Sequence, residues 1–414
     1  MKVFSWKNIR KIFNKIHLYG GLASGLVLVV VCLTGTIYVY NTELTEWASP
    51  NWYKSGPVKE TGKIPVEKLI PSIEEQSGGK VFSINIPSSA EKNYQFNIRR
   101  EGDNSRFGTG YFIDPYTGEI AGVNTEKNGM RDFMRDIFSL HRWLMLDRIE
   151  KPLISGMTNR ELGSAITGWA TILFTIGCIS GLVIWFPQKV KNWRQGLKIK
   201  FKANWKRVNH DLHNTLAFYS LIFLLIMGIT GPFWSFTWYR EGLQKSLGTY
   251  KPKDAPAPAK ITSTQVGDNK TIDLSQLISK TGEVFPFEGD ITLALPADPE
   301  GVITISKYRS GFFAPAAADK LIFDQYSGDI IKTEIFSEKP FNERVAGSIK
   351  ALHIGSVYGG FSKLLYFIAS LIATSLPVTG TLIWINKFRK KPKKVNKKTI
   401  RTVKKQAELE PEMI

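Results

Sequence analysis

The sequence predicts a four-helix membrane bundle carrying two small α+β lobes, built as two copies of one design. Three observations predict it. First, the apolar runs Leu18–Tyr40, Ala165–Phe186, Leu216–Trp238 and Leu364–Ile385 contain no Asp, Glu, Lys or Arg, and each is close to the roughly 20 residues that span a hydrocarbon core. Overall hydrophobic content is 43%, near the average for soluble chains, so the concentration of apolar residues is the signal rather than their number. Second, the formal charge of +19 is unevenly placed: residues 1–15 hold five Lys/Arg, residues 187–209 eight and residues 387–414 eleven, with three acids among them. Third, the chain repeats itself. His17 and His213 are 196 positions apart, and so are Thr34-Gly35 and Thr230-Gly231 at the far ends of the two runs.

The three basic segments fall on one side of a four-span topology, which the positive-inside rule makes the cytoplasmic side, with both termini inside. Basic patches of this kind elsewhere mark nucleic-acid binding. Here they are the expected flanks of spans against a lipid bilayer, and no nucleic-acid partner is expected. The first run follows a basic lead but is long and is not followed by an A-x-A-like site, so it reads as an uncleaved anchor. Cys32 and Cys178 sit inside apolar runs, where small core residues are expected rather than a disulfide or metal pair.

In order, residues 1–16 are a basic cytoplasmic lead that continues helically into span one, 17–40. Gly21 and Gly25 leave room for a neighbouring helix or a flat macrocycle. Residues 41–132 form the first outer lobe: a helix near Ile64–Glu75, then strands at Val81–Ile86 and Tyr94–Arg99, whose residues alternate. Tyr111–Ile120 reads as strand, turn, strand, with Asp114-Pro115 opening the turn and Gly118 supplying its permissive backbone. Residues 133–186 are an interfacial helix and span two, followed by the basic cytoplasmic loop 187–209. Span three, 210–238, ends in the aromatic belt Trp234–Trp238. A Pro-rich linker at 251–260 leads into the second lobe, 239–342 overall, with a helix at Leu274–Lys280 and strands at Ile291–Leu295 and Val302–Lys307. Its Leu321–Ile330 matches Tyr111–Ile120 without a gap. Residues 343–386 are an interfacial helix and the last span, where Pro377 is a potential break. The tail 387–414 is basic, cytoplasmic and expected to be disordered.

The chain has five histidines, His17, His141, His210, His213 and His353, and all of them flank spans. An ionisable residue at membrane depth is functional by default. His17 and His213 sit at the cytoplasmic ends of spans one and three, and His141 and His353 sit on the outer side. Paired across a pseudo-twofold axis along the membrane normal, two neutral imidazoles suit the two axial positions of a haem iron. Two such pairs make an electron path across the bilayer. Arg142 is the candidate partner of a propionate. His210 lies on nearly the same helix face as His213; it is a neighbour or a substitute ligand, and Asn14 stands at its matching position. Zinc and di-iron sites call for cysteines or carboxylates grouped with histidine, and the spans offer neither. The c-type attachment motif Cys-x-x-Cys-His is absent. A b-type haem is the reading left.

The motifs Ile16-His17-Leu-Tyr-Gly-Gly, Leu33-Thr-Gly35, Phe112-Ile-Asp-Pro-Tyr-Thr-Gly118, Leu140-His141-Arg-Trp, Asp211-Leu-His213-Asn and Leu352-His353 resemble the PepSY-associated transmembrane helix family of bacterial inner-membrane proteins, over nearly the whole chain. The resemblance implies periplasmic PepSY-like lobes, two b haems in the bundle held by His17, His141, His213 and His353, and reduction of ferric siderophores. One departure is Ile354 after His353, where the first copy has Arg142 after His141. No G-x-G-x-x-G stands in a strand–turn–helix setting, so a cytoplasmic electron donor must be a separate molecule. No residue is assigned as catalytic acid, base or nucleophile.

Two other classes stay open at this point. Paired PepSY-like lobes suit a cofactor-free binding or regulatory protein acting on a periplasmic partner. Internal repeats also suit a transporter, although its spans usually carry charged sites.

Overall fold

The computed structural model describes residues 6–56, 62–103, 105, 107–187, 190–252, 254–256, 259–264 and 272–388. The Lys-rich tail from residue 389 lies outside them, as do the first five residues and parts of the 251–260 linker.

Helix α1 (Trp6–Tyr38) has 33 residues, about 50 Å at the α-helical rise of 1.5 Å per residue. That exceeds a core of about 30 Å, so the cationic first turns extend beyond the apolar part. Two short helices follow, α2 (Asn41–Ala48) and α3 (Pro50–Tyr53), the latter opened by Pro50. Helix α4 (Val66–Ser77) buries Val66, Leu69, Ile73 and Ser77, a stripe at helical spacing. It ends at Gly78, whose φ of 67° is the left-handed cap that glycine adopts without strain. Strands β1 (Lys80–Ile86), β2 (Tyr94–Arg99), β3 (Thr109–Ile113) and β4 (Ile120–Val123) form a meander.

Helix α5 (Gly129–Trp143) starts at Asn128, whose side chain accepts from the Arg131 amide. A capping box of Thr158 and Glu161 opens α6 (Asn159–Trp185), and Asn204 caps α7 (Trp205–Thr230). The second half then repeats the order: α8 (Thr237–Ser246), α9 (Leu274–Val284), β5 (Gly289–Ala294), β6 (Val302–Arg309), β7 (Ala318–Asp324), β8 (Ile330–Glu334), α10 (Phe341–Gly347), α11 (Ile349–Ile354) and α12 (Gly359–Phe388). Pro377 lies inside α12 and does not break it.

Four of the described helices are long and apolar enough to cross a membrane: α1, α6, α12, and α7 with the 3-10 turn that extends it to Trp234. They close a ring in which α1 packs on α6 and α12, and α7 packs on the same two helices. The strands make one antiparallel sheet in the order β4-β3-β2-β1-β5-β6-β7-β8. Sequence reading treated the lobes as two bodies and proposed no pairing between them. The sheet joins them through β1 and β5, with Ile84 opposite Leu293. The pairing removes two strand edges that would otherwise expose unpaired amides and carbonyls.

One face of the sheet carries a single core across both lobes, in which Ile84, Phe96, Leu293, Ile305 and Phe323 pack with Leu69 and Ile73 of α4 and Leu277 of α9. The opposite face is polar. Gln95 donates to Asn97, Asn97 to Ser83, and Thr292 to Asn85. At one edge of this polar face Trp52 of α3 stacks on Phe112 at a 5.5 Å ring separation.

Candidate functional site

Four of the five histidines come together as two pairs at opposite ends of the bundle. His17 of α1 and His213 of α7 have ring centres 6.1 Å apart with planes at 86°. His141 of α5 and His353 of α11 have ring centres 6.3 Å apart with planes at 60°. The first pair lies at the end carrying the basic segments, the second at the sheet end.

Each ring is held in the same way by a neighbouring helix. Nδ1 of His17 meets the Gly177 carbonyl at 3.0 Å and the Ser180 hydroxyl at 3.2 Å, and Gly181 lies against the ring. Nδ1 of His141 meets the Val31 carbonyl at 2.9 Å and the Thr34 hydroxyl at 3.3 Å, beside Gly35. Nδ1 of His213 meets the Thr379 hydroxyl at 2.9 Å, with the Leu376 carbonyl behind it and Gly380 beside it. Nδ1 of His353 meets the Thr230 hydroxyl at 3.0 Å, with the Met227 carbonyl behind it and Gly231 beside it. The cradle is thus a carbonyl, then a hydroxyl three residues on, then a glycine. A Cβ at Gly35, Gly181 or Gly380 would stand 3.1–3.2 Å from a histidine Cε1, so the missing side chain is what admits the ring.

The cradle also fixes the tautomer. Each hydroxyl donates its proton to a carbonyl of its own helix: Thr34 to Val30, Ser180 to Gly177, Thr230 to Ile226 and Thr379 to Ser375. Its oxygen therefore faces the imidazole as an acceptor, and Nδ1 must carry the hydrogen. That leaves the Nε2 lone pair free for a metal. Ligating histidines are oriented in this way by their other ring nitrogen.

A cavity of about 610 Å³ surrounds the His17–His213 pair, lined by residues from all four spans, among them Ser24, Leu28, Phe174, Phe218 and Leu224. Its volume is within the range of cofactor pockets, about 300–1,000 Å³. A Cβ at Gly21 or Gly177 would meet nothing within 4 Å, so both glycines front open space. Asn14, Lys15, His210 and Lys387 stand on its polar side. His210 is half-exposed, its Nδ1 is 3.6 Å from an Asp211 oxygen, and no hydroxyl–glycine cradle holds it. Geometry therefore pairs His213, not His210, with His17.

At the sheet end, Trp234 packs on His353 with ring centres 5.1 Å apart, and Arg142 donates to the Trp234 carbonyl at 3.2 Å. Burial, and then the charge of Arg160, push the Arg142 guanidinium below its ordinary value. An anion beside these two cations would relieve that. The described residues hold no group of three or more His, Cys, Asp or Glu able to share one metal ion; their four cradled histidines stand in two pairs. Sequence reading identified the four histidines but not the hydroxyls and carbonyls behind them. The available signal was a Ser/Thr-Gly dipeptide recurring in all four spans: Thr34-Gly35, Ser180-Gly181, Thr230-Gly231 and Thr379-Gly380.

The family model of the PepSY-associated TM region matches residues 14–387. That is most of the chain, and the chain belongs to this family. No curated protein matches it.

Proposed function

We propose that this member of the PepSY-associated transmembrane family holds two b-type haems and passes single electrons across a bacterial inner membrane. The acceptor is a ferric chelate, of the siderophore type, on the sheet side. The paired histidines are the observation that carries this reading. One metal centre shared by two imidazoles, at bonds of about 2 Å, would need their ring centres about 6 Å apart. The two pairs stand at 6.1 and 6.3 Å. Free Nε2 lone pairs, the glycines fronting open space and the apolar cavity wall all fit a flat macrocycle bound between two imidazoles.

His17 and His213 would hold one haem, and His141 and His353 the other. Bound haem supplies a metal centre that changes oxidation state by one electron without a proton being required. The protein's own residues do the rest. The cradles hold the rings, the apolar wall excludes water, and Arg142 with Arg160 would receive a propionate. The basic end faces the cytoplasm by the positive-inside rule, and the sheet faces the periplasm. A separate one-electron donor enters at the His17–His213 end. One electron leaves at the His141–His353 end and converts Fe(III) in the chelate to Fe(II). The matching order of the halves and the 196-residue offset support descent from a duplicated unit.

The test is the visible spectrum of the detergent-purified protein, oxidised and then dithionite-reduced. A reduced b-type spectrum with about two haems per chain, reoxidised by an added ferric siderophore, is the expected result. A protein that stays colourless after expression with ample haem overturns the reading and leaves a cofactor-free partner-binding role for the sheet.

A further inference from the structure

We propose that the β6–β7 turn is a lipid anchor: Phe312 and Phe313, with Phe361 of α12, insert into the bilayer leaflet on the sheet side and hold the sheet against it. This inference rests on the membrane spans and not on the haem reading.

Phe312 and Phe313 are 54% and 65% exposed at the tip of the turn, and Phe361 is 41% exposed. Their rings form a cluster, with centres 4.9 Å apart for Phe312–Phe313 and 5.2 Å for Phe313–Phe361. None of the three belongs to the sheet core. The turn is fastened to the start of a membrane span. The Phe361 amide donates to the Phe312 carbonyl at 3.0 Å, and the Ala316 amide to the Val357 carbonyl at 3.1 Å. Pro315 and Tyr358 form a β-bridge. Gly359 sits at φ +55°, where an added Cβ would strike the Gly311 and Phe312 carbonyls at 2.7 and 2.9 Å, so glycine is needed for the approach.

The height of the cluster follows from this fastening. α12 begins at Gly359, and its uninterrupted apolar run begins at Leu364, about 7.5 Å deeper at 1.5 Å per residue and about 4.5 Å beyond Phe361. Lys363, at the same level, pairs with Glu43 of α2 at 2.6 Å, which marks the polar boundary. Tyr358 beside them is also exposed, as the tyrosine of an interfacial belt is, and phenylalanine is a residue of the apolar face of interfacial anchors. The corresponding turn of the first half, between β2 and β3, is mostly polar, with Arg100, Glu101, Asp103 and Ser105, but carries one exposed phenylalanine, Phe107. There the exposed apolar residues Leu153, Ile154 and Met157 precede the span α6. Each half therefore presents apolar side chains just before its second span, by different means.

The experiment uses the full chain in phosphatidylcholine–phosphatidylglycerol nanodiscs, with Cys32 and Cys178 replaced by alanine. A nitroxide is placed at Phe312→Cys, Phe313→Cys or, as control, Glu101→Cys, and its collisions with oxygen and with a water-soluble nickel chelate are compared. The expected result is a several-fold excess of oxygen over nickel accessibility at 312 and 313, with the opposite at 101. Nickel accessibility at 312 and 313 equal to that at 101 overturns the proposal. Shielding from both reagents also overturns it, because a protein surface would then cover the cluster. In a Phe312→Ser/Phe313→Ser chain, amide exchange at Ala316 and Phe361 should speed up at least several-fold in nanodiscs. Unchanged exchange there overturns the holding role.

Discussion

At each paired histidine, one ring nitrogen is engaged by a helix and the other is free, and this division of labour can be tested atom by atom. In Thr379→Val the His213 ring loses its 2.9 Å acceptor but keeps its place beside Gly380. Haem should still bind, with affinity lowered about 10–100-fold, the usual cost of losing such an orienting partner, as read by haem titration of the apoprotein. Gly35→Val acts differently. A branched side chain where even a Cβ stands 3.1 Å from the His141 Cε1 should displace the ring, and haem content should fall from about two to about one per chain. Retention of both haems in Gly35→Val would mean that His141 is not an axial ligand. The histidines themselves were legible in the sequence because they are few, all flank spans, and one pair, His17 and His213, shares the offset of Thr34-Gly35 and Thr230-Gly231. Their cradles were not. A serine or threonine in a helix ordinarily bonds its own preceding turn, as Thr34 and Ser180 do here. Its second role appears only when a ring from another helix is placed beside it.

The elements of the sheet were legible one at a time, and their assembly was not. Alternation in Val81–Ile86 and Ile291–Leu295 says which residues face the core. It does not say that strands some 200 residues apart pair edge to edge. The joint carries weight at two points. Leu293 is fully buried opposite Ile84, and Leu293→Ala should cost about 2–5 kcal/mol, seen as a lowered unfolding midpoint for the sheet. Above the core, α4 and α9 meet through Glu67, Asp273 and Ser275, whose hydroxyl donates to Glu67 at 2.8 Å. Asp273 stands at the N-cap of α9 yet makes no capping bond, because its side chain is turned to Glu67. The hydrogen bond with Glu67, then burial and the Glu67 charge, hold Asp273 above the ordinary carboxyl range. Burial raises Glu67, but hydrogen bonds from the backbone, Asp273 and Ser275 outweigh it and hold Glu67 lower. The two carboxyls therefore titrate as a pair, Glu67 losing its proton first. A raised value in the folded state stabilises the fold below the ordinary Asp range, and that stability is lost as pH rises through the raised value. The contact between α4 and α9 should therefore loosen with rising pH across that window, in thermal melts or in amide exchange of the two helices. Asp273→Asn should remove this loss at rising pH and leave only the opposite dependence of the lowered Glu67, whose contribution is lost as pH falls through its lowered value.

Across the whole molecule, an apolar layer stands between the two histidine pairs. Leu224, Ala369 and Ala373 are buried midway, packed with Cys32, Phe174, Phe223, Met227 and Leu376. The apolar runs that supply this layer contain no Asp, Glu, Lys or Arg. A layer of this kind suits electron transfer, which needs no opening between the sites. It suits a transporter poorly, since an alternating path needs polar or charged groups near its midplane. The distinction can be measured in proteoliposomes loaded with a reductant that cannot cross the bilayer, with a ferric chelate outside. The intact chain should reduce the outside chelate without releasing the reductant. His17→Ala and His353→Ala should each stop the flow, and each should retain about one haem. In His353→Ala the remaining haem should still be reduced from the basic end. In His17→Ala it should be reachable only from the sheet end. If both variants respond to reductant equally from either side, the two pairs are not in series and the bundle is not an electron path across the membrane.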